Sequence, residues 1–295
     1  MSRMRLLALA ACMTIVATSC NYVDMAAHWR DKGDPVPWWC NPTEEIPVTD
    51  GPASGNVDWY AGTHKAPLTW DQCETLSAQL DSALQTVSQW PTAADAEADG
   101  WGMVMPYFPG MGTHHTRNGF MVDLINDPEF DRHNPILDDY GMDDVFDPAD
   151  PEVLQFDGNG PDARLVGFDY YVRTDTGLPP EGFEGNNDWW HHHPWICFSK
   201  TNGRSINFNT SDSTCTAQGG LNVNMSNYYM LHAWVLDEMV YTPDVYAGMI
   251  PCITSSGAIW DEMDPCHVGG ADAMEMDHSV DAAHAGHTAH AGHGG

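Results

Sequence analysis

The sequence predicts an α+β fold that is mainly β. Its expected core is an antiparallel β-sandwich or barrel, stapled by disulfides, with one or two helices N-terminal to it. Three observations carry that expectation. Between residues 69 and 99 apolar residues recur at helical spacing. From residue 102 onward the apolar runs are short and bounded by turn residues, as strands are. Six cysteines remain once Cys12 is set aside with an N-terminal leader and Cys20 as a lipidation site, an even number that reads as a disulfide framework.

Each element follows from its residues. Residues 21–67 hold Pro, Gly, Asp and scattered Trp without periodicity and read as loop-rich chain tied down by Cys40. Thr69 can cap a helix, and Gln72, three residues on, completes a capping box. Cys73, Leu76, Leu80, Ala83, Leu84 and Val87 then mark one face of a helix of about twenty residues ending near Trp90-Pro91. Thr92 opens a second, short helix over Ala93 to Asp99, which Gly100 stops. Gly102 to Phe108 reads as a strand, and Pro109 to Gly112 as a turn that delivers His114 and His115. Residues 126–151 form a long acidic loop whose spacing does not fit an EF-hand. Glu152 to Phe156 and Arg164 to Arg173 read as a hairpin, its second arm apolar on both faces. The polar stretch 201–227 reads as a disulfide-closed excursion. Tyr228 to Leu236 alternates, placing Tyr228, Met230, His232, Trp234 and Leu236 on one face.

Both ends differ in composition from the middle. Met1 to Arg5 is basic and Leu6 to Ala17 apolar, the pattern of a signal peptide, so residues 1–19 are expected to leave the mature chain. Small residues directly before Cys20 resemble a lipobox, which implies acylation of Cys20 and a lipid anchor as the one contact with a membrane. The expected location is the periplasm or cell surface. Loss of Arg3 and Arg5 leaves nine basic residues against 42 acidic ones, a formal charge of −33. Such a field repels nucleic acid and attracts cations, so nucleic acid is excluded as a partner. The six exported cysteines, Cys40, Cys73, Cys197, Cys215, Cys252 and Cys266, allow 15 pairings. Proximity favours Cys40 with Cys73, Cys197 with Cys215, and Cys252 with Cys266. The organisation expected is a signal peptide over 1–19, a loop-rich segment over 20–67, a β-rich domain over 68–268 and a disordered tail over 269–295.

The chemistry centres on residues 188–197, DWWHHHPWIC. In extended chain His191 and His193 project to one face while His192 points the other way. Two imidazoles on one face can share a metal ion, and further ligands are offered by His114, His115 and His232. The tryptophans beside the histidines are expected to wall the site. A bridged Cys197 cannot be a thiolate ligand. In the tail, Met274 and Met276 accompany His278, His284, His287, His290 and His293 with almost nothing to build a core. Thioether sulfur suits Cu(I) and imidazole suits Cu(II), so copper is the expected ion, with zinc the alternative.

The motifs around Trp90 to Ala96, Pro109 to His115, Leu165 to Tyr170, Trp190 to Cys197 and Met230 to Val235 resemble a family of secreted bacterial proteins without an established activity. The resemblance covers roughly residues 68–250 and implies an exported domain carrying histidines in three motifs. Three functions are open. The first is an extracytoplasmic copper-binding protein for sequestration or delivery. The second is a mononuclear His-ligated metalloenzyme, an oxidoreductase or hydrolase, with Asp169, Tyr170 and Asp188 as acid–base candidates. The third is an aromatic-rich module that binds carbohydrate or protein. No serine nucleophile elbow, phosphate-binding glycine loop, dinucleotide fingerprint or HExxH motif occurs.

Overall fold

The computed structural model describes residues 22–41, 66–118, 121–185, 187–234 and 245–246. The expected signal peptide, Cys20, the expected Cys252–Cys266 pair and the Met/His-rich residues 274–293 lie outside these residues. Among them the fold is α+β and mainly β, with eight strands in two antiparallel sheets and few helices. The sandwich is the correct member of the expected pair, because neither sheet closes into a barrel.

The helices start where the capping residues say they do. In α2 (Trp70–Val87) Thr69 and Gln72 form the reciprocal capping box, and Leu76, Leu80, Ala83, Leu84 and Val87 make the buried stripe. In α3 (Ala93–Ala98) Thr92 and Asp95 cap each other in the same way. The N-terminal region differs from expectation: Tyr22–Lys32 is a helix, α1, and Trp38–Cys40 a 3-10 turn. Its start is capped from a distance, since the Asp81 carboxylate of α2 accepts from the Tyr22 and Val23 N–H groups at 2.7 and 3.0 Å. A cap supplied from sixty residues away leaves no local signature. Cys40 is bridged to Cys73, and Arg30 pairs with Glu74, so α1 and the turn lie against α2.

The larger sheet has the order β1-β2-β3-β4-β8, from β1 (Gly102–Phe108), β2 (Gly112–Thr116), β3 (Val153–Phe156), β4 (Leu165–Arg173) and β8 (Tyr228–Ala233). The smaller has the order β6-β5-β7, from β5 (Trp195–Ser199), β6 (Ser205–Phe208) and β7 (Gly220–Asn224). Two short helices complete the set, α4 (Val122–Asn126) and α5 (Asp212–Ala217). The polar excursion over 201–227 therefore holds most of a second sheet. Cys197 on β5 is bridged to Cys215 on α5, which fastens that sheet to its connecting helix.

Side-chain alternation divides the larger sheet into two faces. Leu154, Phe156, Phe168, Tyr170, Val172, Tyr229 and Leu231 join the core formed with α1, α2 and α3. Val153, Tyr171, Tyr228 and Met230 join a second core with Ile196, Phe198 and Val223 of the smaller sheet. The architecture is thus three layers: helices, five strands, three strands. Eight of the nine residues of β4 are buried, because a central strand with covers on both faces has no solvent side. Both disulfides accord with an oxidising, extracytoplasmic environment. Among the described residues no helix is long and apolar enough to cross a membrane.

Candidate metal centre

Strand register assembles the site. His114 on β2 pairs with Gln155 on β3, and Asp169 on β4 pairs with His232 on β8. These four residues lie on the face turned toward the smaller sheet. Beyond β8 the chain at His191 adds one more rung: its N–H donates to the Met230 carbonyl at 2.9 Å, and the Met230 N–H donates back at 2.6 Å. This rung sets the alternation of the histidine run. His191 and His193 turn to the inner face, their ring centroids 5.3 Å apart, while His192 turns outward onto Tyr229 at 5.0 Å.

Four imidazoles and one carboxylate meet there. The His191 ring is 5.0 Å from His232, and His232 is 6.0 Å from His114. All are buried, Asp169 wholly so. Donor atoms of His114, Asp169 and His232 lie within 4.8 Å of one another. His114 Nε2 stands 3.2 Å from Asp169 Oδ2. Two ligands on one ion, with metal–donor bonds near 2.1 Å, lie about 3.0–3.4 Å apart, so this separation is that of neighbouring ligands. The Gln155 amide nitrogen is 3.1 Å from the same His114 nitrogen. With Gln155 as donor, the remaining contact sets a nitrogen lone pair against a carboxylate oxygen, which is repulsive unless a proton or a cation lies between them.

The electrostatics agree with a cation. Among the described residues neither oxygen of Asp169 accepts a hydrogen bond, and burial holds its carboxyl well above the ordinary carboxylate range. A divalent ion reverses that preference by supplying the charge that stabilises the carboxylate. Burial, then the neighbouring His232, holds His114 and His191 well below the ordinary imidazole value. Both are therefore neutral, the form that ligates metal. Imidazole with one carboxylate is a donor set that copper and zinc both accept.

Gly167 makes room for the cluster. It lies two residues before Asp169 on the same face of β4, and a Cβ there would press on the Gln155 side-chain oxygen and come within 2.6 Å of the Trp234 ring. Trp234 is the indole that borders the histidines, 5.9 Å from His232. Trp190 instead lies in the helix-side core and donates to Asp188 at 2.9 Å. The expectation that the tryptophans of the histidine stretch wall the site is thus corrected, since Trp190 shares the outward face of His192.

Of the histidines singled out from sequence, the fold brings together His114, His191, His193 and His232. His115 sits apart, because alternation along β2 turns it to the helix side, 4.9 Å from Phe156. Burial there lowers its pKa to about 4. Asp169 joins the cluster as a metal-ligand candidate, having been weighed from sequence only as an acid or base. Tyr170 and Asp188 do not join it: Tyr170 donates to the Pro148 carbonyl at 2.7 Å, and Asp188 accepts from Trp190. Gln155 and Gly167 carried no signal, because an amide and a glycine in a strand acquire meaning only through the residues opposite them. No protein-family model matches the chain, nor does any curated protein or solved structure.

Proposed function

We propose that this chain is an extracytoplasmic metal-binding protein whose folded domain holds one copper ion between its two sheets. The ligands are His114, His191, His193 and His232, with Asp169 as the anionic member. The observation that carries this reading is the buried His114–Asp169–His232 group, whose donor atoms lie within 4.8 Å of one another. A wholly buried carboxylate that accepts no hydrogen bond among the described residues, beside the neutral imidazole of His114, costs several kcal/mol unless it is protonated or paired with a cation. Copper is preferred to zinc on the composition of the tail, where Met274 and Met276 stand beside five histidines. In this reading the tail gathers ions loosely, the buried centre stores or delivers one, and an acylated Cys20 keeps the protein at a membrane surface. Membership of the secreted bacterial family that shares the three histidine motifs belongs to the same proposal.

EPR on the copper-loaded chain tests it. A type-2 Cu(II) signal with hyperfine splitting from several imidazole nitrogens is expected, and His191→Ala/His193→Ala should remove that component and leave only the heterogeneous signal of the tail. A spectrum unchanged by the double substitution contradicts the buried centre. A mononuclear metalloenzyme on the same ligands is the second reading, favoured by one observation: His114 and His193 also form part of the wall of a cavity.

A further inference from the structure

The cavity lies between the two sheets and has a volume of about 120 Å³. Close-packed interiors hold few voids larger than a water molecule, so a space of this size leaves its lining short of contacts that an occupant would supply. Six methionines line it, Met105, Met111, Met121, Met142, Met225 and Met230, with Val, Ile and Phe side chains between them. Methionine ordinarily fills irregular gaps in a core. Here six surround one that stays open. Strand register sets the space beside the candidate metal centre: Met105 pairs with His114, Met230 pairs with His191, and His114 and His193 themselves belong to the wall. The partly exposed members of the wall, Met105, Phe108, Met111 and Phe208, come from the β1–β2 hairpin and β6, so that edge is the way in.

The chemistry of the wall selects what can enter. No Lys, Arg, Asp or Glu lines it. Tyr171 and Ser205 do, yet their hydroxyl oxygens have essentially no accessible surface, so neither offers a hydroxyl to the space. His114 Nδ1 is covered in the same way. A buried water needs about two to four polar partners, and apolar cavities of this order stay dry and take up single-ring hydrocarbons or xenon. Thioethers and the Phe198 and Phe208 rings add a preference for an aromatic occupant, through sulfur–ring and ring–ring contacts. We propose that this chamber binds one small, uncharged aromatic hydrocarbon of a single ring, held by apolar contact alone. A charged molecule would lose its water shell there without meeting a counter-charge. The site needs no ion and stands apart from the copper reading, although an occupant would lie against the imidazoles of His114 and His193.

The test is a titration of the full-length, metal-free chain with benzene, and separately with phenol, followed through the methyl signals of ¹³C-methyl methionine. Saturable benzene shifts at the cavity methionines are expected, with Met274 and Met276 of the tail unmoved. Phenol should bind at least about fivefold more weakly, since its hydroxyl would enter without a partner. Val104→Phe puts a ring into the space and should abolish the benzene shifts. Met111→Phe, at the partly exposed rim, should do the same with less burden on core packing. Absence of saturable shifts, or shifts only at methionines outside the cavity, overturns the proposal. Benzene binding that survives in a folded Val104→Phe or Met111→Phe chain, or phenol binding as tight as benzene, overturns it as well. None of these outcomes bears on the copper signal, which is read separately.

Discussion

At the scale of single residues, Gly167 and Asp188 make the sharpest predictions. A methyl group at Gly167 collides with Gln155 and Trp234, so Gly167→Ala should destabilise the fold by about 1–3 kcal/mol and weaken metal retention with it. Paired urea melts with and without copper would measure both effects. Asp188 titrates in an accessible range, burial raising its carboxyl from 3.8 to about 6. Below pH 3.8 the group is protonated in both folded and unfolded chains and contributes no difference. As pH rises from 3.8 to about 6 the unfolded chain ionises first, so Asp188 lowers stability progressively across that window. Asp188→Asn removes the effect, and the stability of the native chain relative to the variant should fall by roughly 3 kcal/mol over that range, as melts at stepped pH would show. His191, His192 and His193 were legible to this level of detail, because strand alternation alone separates them. Asp169 was not, since nothing near it in sequence says which histidine will stand opposite.

At the scale of elements, what could be read from sequence was what is determined locally. The capping box at Thr69 announced α2, Thr92 and Gly100 bounded α3, and alternation from Tyr228 onward announced the inner face of β8. Helix α1 escaped because its cap is the distant Asp81, and β6 and β7 escaped because their Ser, Asn and Gly look like loop until β5 pairs with both. Asp81→Ala should therefore loosen α1 selectively, at a cost of about 1 kcal/mol, seen as faster amide exchange over residues 22–32 while α2 stays protected. The Cys40–Cys73 bridge fixes the same region across a separation of 33 residues. Its removal by Cys40→Ala/Cys73→Ala should cost about 3–4 kcal/mol, the chain-entropy value for a loop of that length, measured by chemical denaturation.

At the scale of the whole molecule, a strongly acidic composition accompanies a buried cluster of imidazoles. The formal charge of −31 for the full sequence draws cations toward the surface, but retention depends on the interior, where His114, Asp169, His191, His193 and His232 converge. An ion that binds the folded chain alone stabilises it by mass action, about 4 kcal/mol at a thousand times its dissociation constant, so copper should raise the melting temperature and a chelator should lower it. The measurement that tests the central claim most directly is metal content by mass spectrometry on exported protein truncated after Gly270, which removes the Met/His tail as a competing binder. The account predicts about one copper per chain, lost in the His191→Ala/His193→Ala variant. A truncated chain that emerges metal-free and takes up neither copper nor zinc would contradict it, and metal capture would then belong to the tail alone.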